Sequence, residues 1–487
     1  MFTPEDKQKD FYDTYVYDRR VKDSHELIQI KNVINWSFVE EKTRKLYCSN
    51  NGRPGYAPGV LFRILFLEYY ANLSDAAVCD QVEVNLRYQK FVGIRMDDEI
   101  PEPTTLVEFR KRLGEETIKE LFDELIRQCK EHGILTEGIQ SIDATHITAD
   151  VAVSNMVNLL RQGRRKVLWY LKKHQMRWSR RLREKYPSDI VKARGKPSIK
   201  QLKAEIETTT RFIKELLEKY DDPRIKEYLA ELQKLCSGEI GLVSFEDTDA
   251  RWGHKSTEKK FSGYKAHTSM DESGIVTSAQ TIPGNANEGG MLEDMIADDE
   301  SKGVRSECIA VDGLYDRADT YETGDTYEME IYAPCRHGPK GFEKEYFFFD
   351  KRGHLRCRNY SIGGIDLRHA RRLRRSFYAF DCQLCLSKGS CLAKGTIQRQ
   401  VWLNKCCERS MKQNKQEREE ALEKRKRIEA KFGEAKKWHG LHRARYRGRW
   451  RVAIQVLMTF FVTNAKRMVK LLFDKLSPPG SLKVKYA

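Results

Sequence analysis

Hydrophobic residues recur at helical spacing through the first 135 residues. Pro58 can open a helix that runs to Asn72, and Ser74 can cap a second helix that ends at Val84. Thr105 and Glu108 have the spacing of a capping box at the start of a third. Short helices with tight turns favour a helix-turn-helix DNA-binding domain or a helical dimerisation or packing domain, and the pattern alone does not choose between these.

The hydrophobic period changes at Ile139, where β-branched residues begin to alternate with polar ones. Strand patterns are predicted at 139–149, 264–270, 275–281, 308–311 and 330–333, with none between the first and about residue 260. A turn at 271–274 makes the second and third a hairpin, and a helix is predicted around 290–298. This order predicts an α/β fold with a mixed sheet.

A charged helical insertion interrupts the predicted sheet. Its first part, 161–185, has eleven Lys and Arg against one acid, Glu184, with Trp169, Tyr170 and Trp178 interleaved. Such a run is usually a solvated face, but cations mixed with aromatics also suit phosphate contact with base stacking. The second part, from the capping-box pair Ser198 and Gln201, predicts a helical hairpin. The hairpin either packs on itself or contacts a second subunit.

Two further helices are predicted near the C-terminus. The first covers 413–438, and the second is an apolar stretch, 452–473. The second contains Asn464, Lys466 and Arg467, which are costly at the centre of a bilayer. It is therefore predicted to be an amphipathic helix of a soluble protein.

Composition narrows the class of partner. The chain has 487 residues, 88 Lys and Arg against 71 Asp and Glu, and a formal net charge of +17. A folded, strongly basic protein indicates a polyanionic partner, of which nucleic acid is the commonest in cells, with a membrane surface as the alternative. The N-terminus lacks a signal-peptide pattern, and twelve dispersed cysteines are too few for a disulfide scaffold. A reducing cytoplasm is expected.

Two aspartates follow strand patterns in a way that suggests a metal site. Asp143 lies in the first strand region, and Asp312 directly follows the apolar strand 308–311. For either residue alone, a turn or helix cap is the simpler explanation. Two carboxylates on adjacent strands, however, would repel each other unless a cation such as Mg²⁺ lay between them. A third acid would be needed from elsewhere, and periodicity cannot select one among the glutamates of 413–438.

Four cysteines form a second candidate site. Cys357, Cys382, Cys385 and Cys391 have the ligand number of a tetrahedral zinc site, with reduced core cysteines as the alternative. The polar surroundings favour a structural Zn²⁺.

The spacing of Arg425, Glu429 and Lys436 resembles a signature of the Asp-Asp-Glu (DDE) transposases of bacterial insertion sequences, which have a ribonuclease-H-like core. The chain departs from the common pattern at Leu422, where relatives often have Tyr, and at Ala144, where Gly is frequent. Further matching segments are Tyr56-Ala57-Pro58, Ser141-Ile142-Asp143-Ala144-Thr145, Phe261-Ser262-Gly263-Tyr264-Lys265-Ala266-His267, Val311-Asp312-Gly313-Leu314-Tyr315, and the segment 439–448.

The resemblance implies a set of residues for each role. It implies that Asp143, Asp312 and Glu429 bind catalytic Mg²⁺ or Mn²⁺. Zinc on the four cysteines agrees with similar arrangements in relatives. Residues expected to contact DNA are Arg425, Lys436, His267, Arg443, Arg445 and Arg447. For His267, a hydrogen-bonded core position is the stronger interpretation from its residue type and strand context.

The implied function is a DNA transposase that cuts transposon ends and joins them to target DNA. It is expected to act as a homodimer, without a membrane, in the bacterial cytoplasm at the nucleoid. The alternatives are an inactive or domesticated DNA-binding protein and a nuclease without transposition. The expected organisation is a helical DNA-binding domain (1–135), a ribonuclease-H-like core (136–155 and 245–335), a basic helical insertion (156–244), a zinc-binding insertion (336–405), the catalytic and C-terminal helices (406–475) and a tail (476–487).

Overall fold

The structure is a computed structural model of the chain. Most of the predicted tail, 477–487, lies outside the residues that it describes. The described residues are 11–48, 55–174, 176–188, 197–239, 241–255, 258–334, 347–350, 352, 354–359, 361–368, 372–404, 409 and 413–476.

The N-terminal region is helical, as predicted. Proline occupies the first turn of α4, and the Ser74 hydroxyl accepts the Ala77 N–H at the start of α5. The predicted capping box before α7 was wrong, because Glu102 is the N-cap and its side chain makes no capping bond. The helices are α1 (Phe11–Arg20), α2 (Glu26–Val33), α3 (Ser37–Thr43), α4 (Pro58–Tyr70), α5 (Asp75–Val84), α6 (Leu86–Val92) and α7 (Pro103–Glu131).

The central sheet combines antiparallel and parallel strands. β1 pairs antiparallel with β4 and parallel with β6, β7 lies beyond β6, and β5 pairs with β4. The mixed α/β prediction is thus confirmed. The strands are β1 (Ile139–Thr148), β2 (Leu242–Ser244), β3 (Asp247–His254), β4 (Lys260–Met270), β5 (Val276–Pro283), β6 (Cys308–Val311) and β7 (Glu330–Tyr332). The helices between them are α12 (Leu292–Ser301) and α13 (Ala318–Thr326).

The β2–β3 hairpin was missed by the sequence analysis, which predicted no strand before about residue 260. β3 is rich in polar residues, and Asp247, Asp249 and Arg251 hide its alternation. It forms because its backbone pairs with the first four residues of β4, from Arg251 opposite Gly263 to His254 opposite Lys260. Sheet pairing therefore decided this element against its local pattern.

The helical insertion has a hydrophobic core of its own, which includes Leu168, Phe212 and Leu229. The predicted capping box is confirmed, since Ser198 and Gln201 bond each other's backbone N–H groups. The α10–α11 hairpin packs against α8. The helices are α8 (Met156–His174), α9 (Met176–Lys185), α10 (Ile199–Lys219) and α11 (Pro223–Ser237).

The cysteine-containing region forms a second, antiparallel sheet with a small core that includes Phe347, Leu355 and Phe377. Part of this region, 335–346, lies outside the described residues. Its strands are β8 (Phe347–Phe349), β9 (Leu355–Cys357), β10 (Ile362–Arg368), β11 (Arg372–Phe377) and β12 (Gln400–Asn404). Two short helices follow β11, α14 (Ala379–Gln383) and α15 (Lys388–Cys391).

Two long helices complete the chain, α16 (Lys415–Trp438) and α17 (Arg449–Leu476). α16 packs on β1 and β6. α17 was predicted to be amphipathic, but all its residues from 452 to 465 are buried. It lies between the N-terminal helices and β5, so apolar surface meets it from both sides. Buried Asn464 is satisfied because its amide bonds the Val276 N–H and C=O.

α17 joins the N-terminal helices and the sheet into one hydrophobic core. That core contains Phe62 and Phe66 of α4, Ala266 of β4 and Phe461 of α17. The N-terminal helices therefore share their apolar contacts with the sheet that carries the candidate site. Among the helices that the structure describes, none is long and apolar enough to cross a membrane.

Candidate active site

Asp143 lies on β1 with a largely buried side chain, 15% exposed. One carboxylate oxygen accepts the Ala144 N–H at 2.7 Å, and the other accepts Arg425 Nη1 at 2.8 Å. Burial raises the pKa of Asp143 to about 6, and the nearby charges of Asp312 and Glu288 act in the same direction. The Ala144 bond and Arg425 oppose this rise. Asp143 is therefore a carboxyl group held among other acids in a poorly solvated position.

Asp312 stands beside Asp143 because of the parallel pairing of β1 and β6. Ile142 is in register with Val311, and each aspartate is the next residue along the chain, Asp143 within β1 and Asp312 just beyond β6. The Asp312 carboxylate caps a 3₁₀ turn, Gly313–Tyr315, by accepting the Leu314 N–H at 2.7 Å. Both explanations considered for this residue apply together, since it caps a turn and also neighbours a second acid.

Glu429 lies on α16, one helical turn after Arg425. Its side chain is 64% exposed, and Oε1 is 3.7 Å from Arg425 Nη2. The Arg425 guanidinium thus lies between the carboxylates of Asp143 and Glu429. Glu429 thus shares a cation with Asp143, but as placed the three acids do not form a group with metal-site geometry among the described residues.

Glu288 is a fourth acid near the site. From the sequence, the stretch 285–288 could border the site, but a simple loop is the stronger interpretation. The Glu288 side chain is 8% exposed and pairs with Lys265 at 2.5 Å, and its charge raises the pKa of Asp143 and Tyr315. The sequence signal for Glu288 was an acid a few residues after a strand, and a simple loop gives the same pattern.

His267 lies inside the protein rather than on a DNA-facing surface. Its side chain is fully buried on β4, and Nε2 bonds the Tyr315 hydroxyl at 2.7 Å. Burial and, secondarily, Lys265 lower its pKa to about 4, so the ring is neutral at pH 7. The structure thus supports a hydrogen-bonded core histidine instead of a DNA contact. Because Tyr315 closes the turn that Asp312 caps, His267 braces the backbone next to that acid.

Lys436 lies two helical turns beyond Glu429. Its Nζ is 3.2 Å from Nδ1 of His146 on β1. Burial lowers the pKa of Lys436 to about 8, with Lys255 adding to the effect. The pKa of His146 falls to about 4 through burial, Lys436 and Lys255. Lys436 is thus a cation next to the site with no carboxylate in ion-pair contact among the described residues.

The three arginines after α16 have different environments. The side chains of Arg443 and Arg447 are 59% and 50% exposed, and both form ion pairs at the surface. Arg445 is 17% exposed and bonds Glu68 Oε1 and the Leu73 carbonyl, both at 2.8 Å. Its guanidinium is occupied inside the protein, because it neutralises a glutamate that is only 2% exposed. The structure therefore replaces the predicted DNA contact of Arg445 with an internal ion pair.

The same buried glutamate engages a cation of the N-terminal helices. Arg110 of α7 bonds Glu68 at 2.8 Å and Asp75 at 2.6 Å. Its side chain is only 7% exposed. Arg110 therefore supports the packing alternative for this helix.

The four cysteines of the predicted zinc site lie in one neighbourhood. None of the four forms a disulfide, and all are partly buried. Burial raises the pKa of Cys391, and charges on Cys382, Cys385 and Cys357 would raise it further. As placed, however, no group of three His, Cys, Asp or Glu side chains among the described residues has the geometry of a metal site. The thiols are neighbours without forming a closed coordination shell.

The donors around Asp143 suit a divalent cation of the hard type. Asp143, Asp312 and Glu429 offer carboxylate oxygens, and neither sulfur nor imidazole stands among them. Mg²⁺ and Mn²⁺ prefer such oxygen donors. The fit rests on this donor chemistry and on the adjacency of the first two acids.

Clustered acids on adjacent strands, with basic side chains from a helix beside them, define a class of metal-dependent enzymes that act on phosphodiesters. Comparison with known families agrees with this class. Residues 15–112 match a family described as a transposase domain (DUF772), and residues 230–465 match the transposase DDE domain. The chain belongs to the DDE transposases of insertion sequences. It is a DNA transposase, an enzyme that uses a divalent metal to cleave DNA and transfer strands.

Proposed function

We propose that Asp143, Asp312 and Glu429 are the acids with which this transposase binds its catalytic ions, Mg²⁺ or Mn²⁺. The observation that carries the proposal is the register of β1 and β6, which sets Asp143 beside Asp312. The position of Glu429 supports it, because Arg425 contacts both Asp143 and Glu429.

Two metal ions, when bound there, would activate the attacking water or 3′-hydroxyl and stabilise the leaving oxygen of the phosphodiester. The side chains around them have separate tasks. Arg425 orients the Asp143 carboxylate by a direct hydrogen bond. Lys436, at the other end of the same helical face, neutralises a DNA phosphate next to the site. His267 and Tyr315 hold the turn that follows Asp312.

We propose that the sheet is the ribonuclease-H-like core of the enzyme. The strand order β5-β4-β1-β6-β7, in which β4 alone is antiparallel to the other four, supports this assignment. The proposed division into domains is the one expected from sequence. The separate hydrophobic cores of the helical insertion and of the cysteine region support two of its boundaries.

We propose that the enzyme binds the terminal inverted repeats of its own element and then target DNA, as a homodimer. Two ends must be handled together, which one catalytic site cannot do at once. Arg443 and Arg447 are placed to contact the DNA backbone, because both are exposed on the segment that follows the catalytic helix.

We propose a structural Zn²⁺ on Cys357, Cys382, Cys385 and Cys391. Their proximity supports it, and the small core beneath β8 to β12 is of a size that commonly needs a metal for stability. Four thiolates would close the coordination shell and exclude a substrate.

The catalytic assignment is tested with Asp143→Asn, Asp312→Asn and Glu429→Gln in the full-length protein. Each variant should lose Mg²⁺-dependent cleavage of terminal-repeat DNA by at least about 10³-fold, while its affinity for that DNA in Ca²⁺ stays close to wild type. Glu420→Gln is the matched control, because Glu420 is an exposed acid on the same helix whose side chain bonds only Gln416 among the residues that the structure describes.

Retained metal-dependent cleavage in any of the three variants would remove that residue from the site. Equal loss in Glu420→Gln would show that the assay reports helix charge rather than metal binding.

A further inference from the structure

The outer face of the helical insertion exposes two tryptophans. α8 and α9 bury Leu168, Leu171 and Leu182 in the core of the insertion. On the same two helices, Trp169 is 55% exposed and Trp178 is 42% exposed. Exposed tryptophans are candidates for a binding surface when other features beside them suit the same ligand.

The cations of these helices fall into two groups. Arg161 and Arg164 point inward and pair with Glu205 of α10. The outward group has no carboxylate partner among the described residues, and all its members are exposed. It consists of Lys172, Lys173, Arg177 and Arg181. The insertion therefore neutralises its two inward arginines and leaves these four exposed cations without a carboxylate partner among the described residues. Two other exposed cations of α9 are paired, Arg180 with Glu184 and Lys185 with Glu215.

Each exposed indole has a cation beside it. Lys173 Nζ lies 4.1 Å from the centre of the Trp169 ring. Arg181 Cζ lies 5.9 Å from the centre of the Trp178 ring, and Lys219 Nζ, which also pairs with Glu215, lies 5.2 Å from it. Aromatic faces next to uncompensated cations are the combination with which proteins bind single-stranded nucleic acid, because phosphates meet the charges and bases stack on the rings.

We propose that this face binds a single-stranded segment of the DNA substrate. The phosphates contact Lys172, Lys173, Arg177 and Arg181, and bases stack on Trp169 and Trp178. Duplex DNA cannot stack on the tryptophans, because neighbouring base pairs cover the faces of its bases. The proposal rests on the transposase function, from which it takes DNA as the polyanion, and it adds a second contact surface outside the acid site.

The test measures binding of one oligonucleotide sequence, as a single strand and as a duplex, by fluorescence anisotropy with full-length protein. Trp169→Leu with Trp178→Leu should weaken single-strand binding at least about tenfold and duplex binding much less. Tyrosine at both positions should restore most of the loss. Lys172→Gln with Lys173→Gln should weaken both forms.

The matched control is Lys200→Gln with Lys203→Gln, which removes the same charge from exposed positions on α10 of the same insertion. This pair should change neither affinity by more than about twofold. Unchanged melting temperatures identify variants that fold normally. If the leucine variant does not fold normally, the tyrosine variant carries the test, and it should keep most of the single-strand affinity.

Unchanged single-strand affinity in the leucine variant would overturn the proposal. So would an equal loss for single strand and duplex, since the surface would then recognise phosphates alone. Cleavage of terminal-repeat DNA by the wild type is measured in parallel. If cleavage is absent while the tryptophan-dependent binding is present, the catalytic assignment fails and the binding surface stands.

Discussion

Arg425 of the long helix α16 donates a hydrogen bond of 2.8 Å to Asp143 of β1, across 282 residues of chain. The same guanidinium is 3.7 Å from Glu429. One cation thus connects the first and the last of the three proposed metal ligands, and it positions the helix that carries Glu429 over the strand that carries Asp143.

Replacing Arg425 should therefore slow cleavage without abolishing it. Arg425→Gln removes a hydrogen bond to a charged group, worth about 1.5 to 3 kcal/mol, so single-turnover cleavage should fall by roughly 10- to 150-fold. Arg425→Lys should lose less cleavage activity, because lysine keeps the positive charge but lacks the paired N–H donors of the guanidinium. Arg427→Gln, an exposed neighbour on the same helix, is the control. Wild-type cleavage by Arg425→Gln would show that Asp143 needs no such support.

Lys436 should make DNA binding depend on pH. Its pKa is lowered to about 8, and the groups that face it are His146, which is neutral in this range, and the charged Lys255. As pH rises from 7 to 9 the ammonium loses its proton, and one phosphate contact is lost. Affinity should then fall roughly tenfold, for a charged contact of about 1.5 kcal/mol.

Lys436→Arg provides the comparison for this pH dependence. Arginine stays charged throughout this range, so the variant should bind with nearly constant affinity. The measurement is the dissociation constant for terminal-repeat DNA at fixed salt, from pH 7 to 9. Identical pH profiles of the two proteins would exclude Lys436 as a phosphate contact.

Arg443 and Arg445 are close in sequence but should respond differently to replacement. Arg445→Met leaves buried Glu68 with one cation fewer, and the free energy of unfolding should fall by about 3 kcal/mol. Arg443→Met removes a surface ion pair and should change stability by less than about 1 kcal/mol. Its effect should appear as weaker DNA binding.

Denaturant titration and DNA affinity, measured on both variants, separate these outcomes. A stable Arg445→Met protein with impaired DNA binding would restore Arg445 as a DNA contact.

Metal content should reveal the role of the four cysteines. The purified protein should contain about one Zn²⁺ per chain, and Cys382→Ser with Cys385→Ser should lose both the metal and stability. Cys48→Ser, which changes an exposed cysteine elsewhere, should keep both. Protein that is free of zinc and folds equally well without the four thiols would leave them as ordinary partly buried cysteines.

Local signals in the sequence were sufficient for many elements. Proline at the first turn of α4, the Ser74 cap of α5 and the Ser198 capping box of α10 all lie where the pattern predicted them. These signals work because capping and turn preferences depend on neighbours a few residues away. The β2–β3 hairpin was missed although its pairing partners lie only a few residues away, because the polar side chains of β3 hide the alternation that marks a strand.

The residues of the candidate site likewise divide into those that local spacing could place and those that it could not. Spacing along one helix was enough to place Arg425, Glu429 and Lys436 on a common face. Spacing could not show that Arg445 is held by Glu68, or that His267 is buried under Tyr315, because those contacts join distant segments.

The sequence by itself determined the class of partner, the mixed α/β order and the acids to consider, because charge, hydrophobic period and family resemblance are properties of the linear chain. Only the tertiary structure decided which basic residues remain at the surface and which acids stand together. Burial and pairing depend on the register of β1 with β6 and on the packing of α16 and α17, and these bring together residues that the chain keeps hundreds of positions apart.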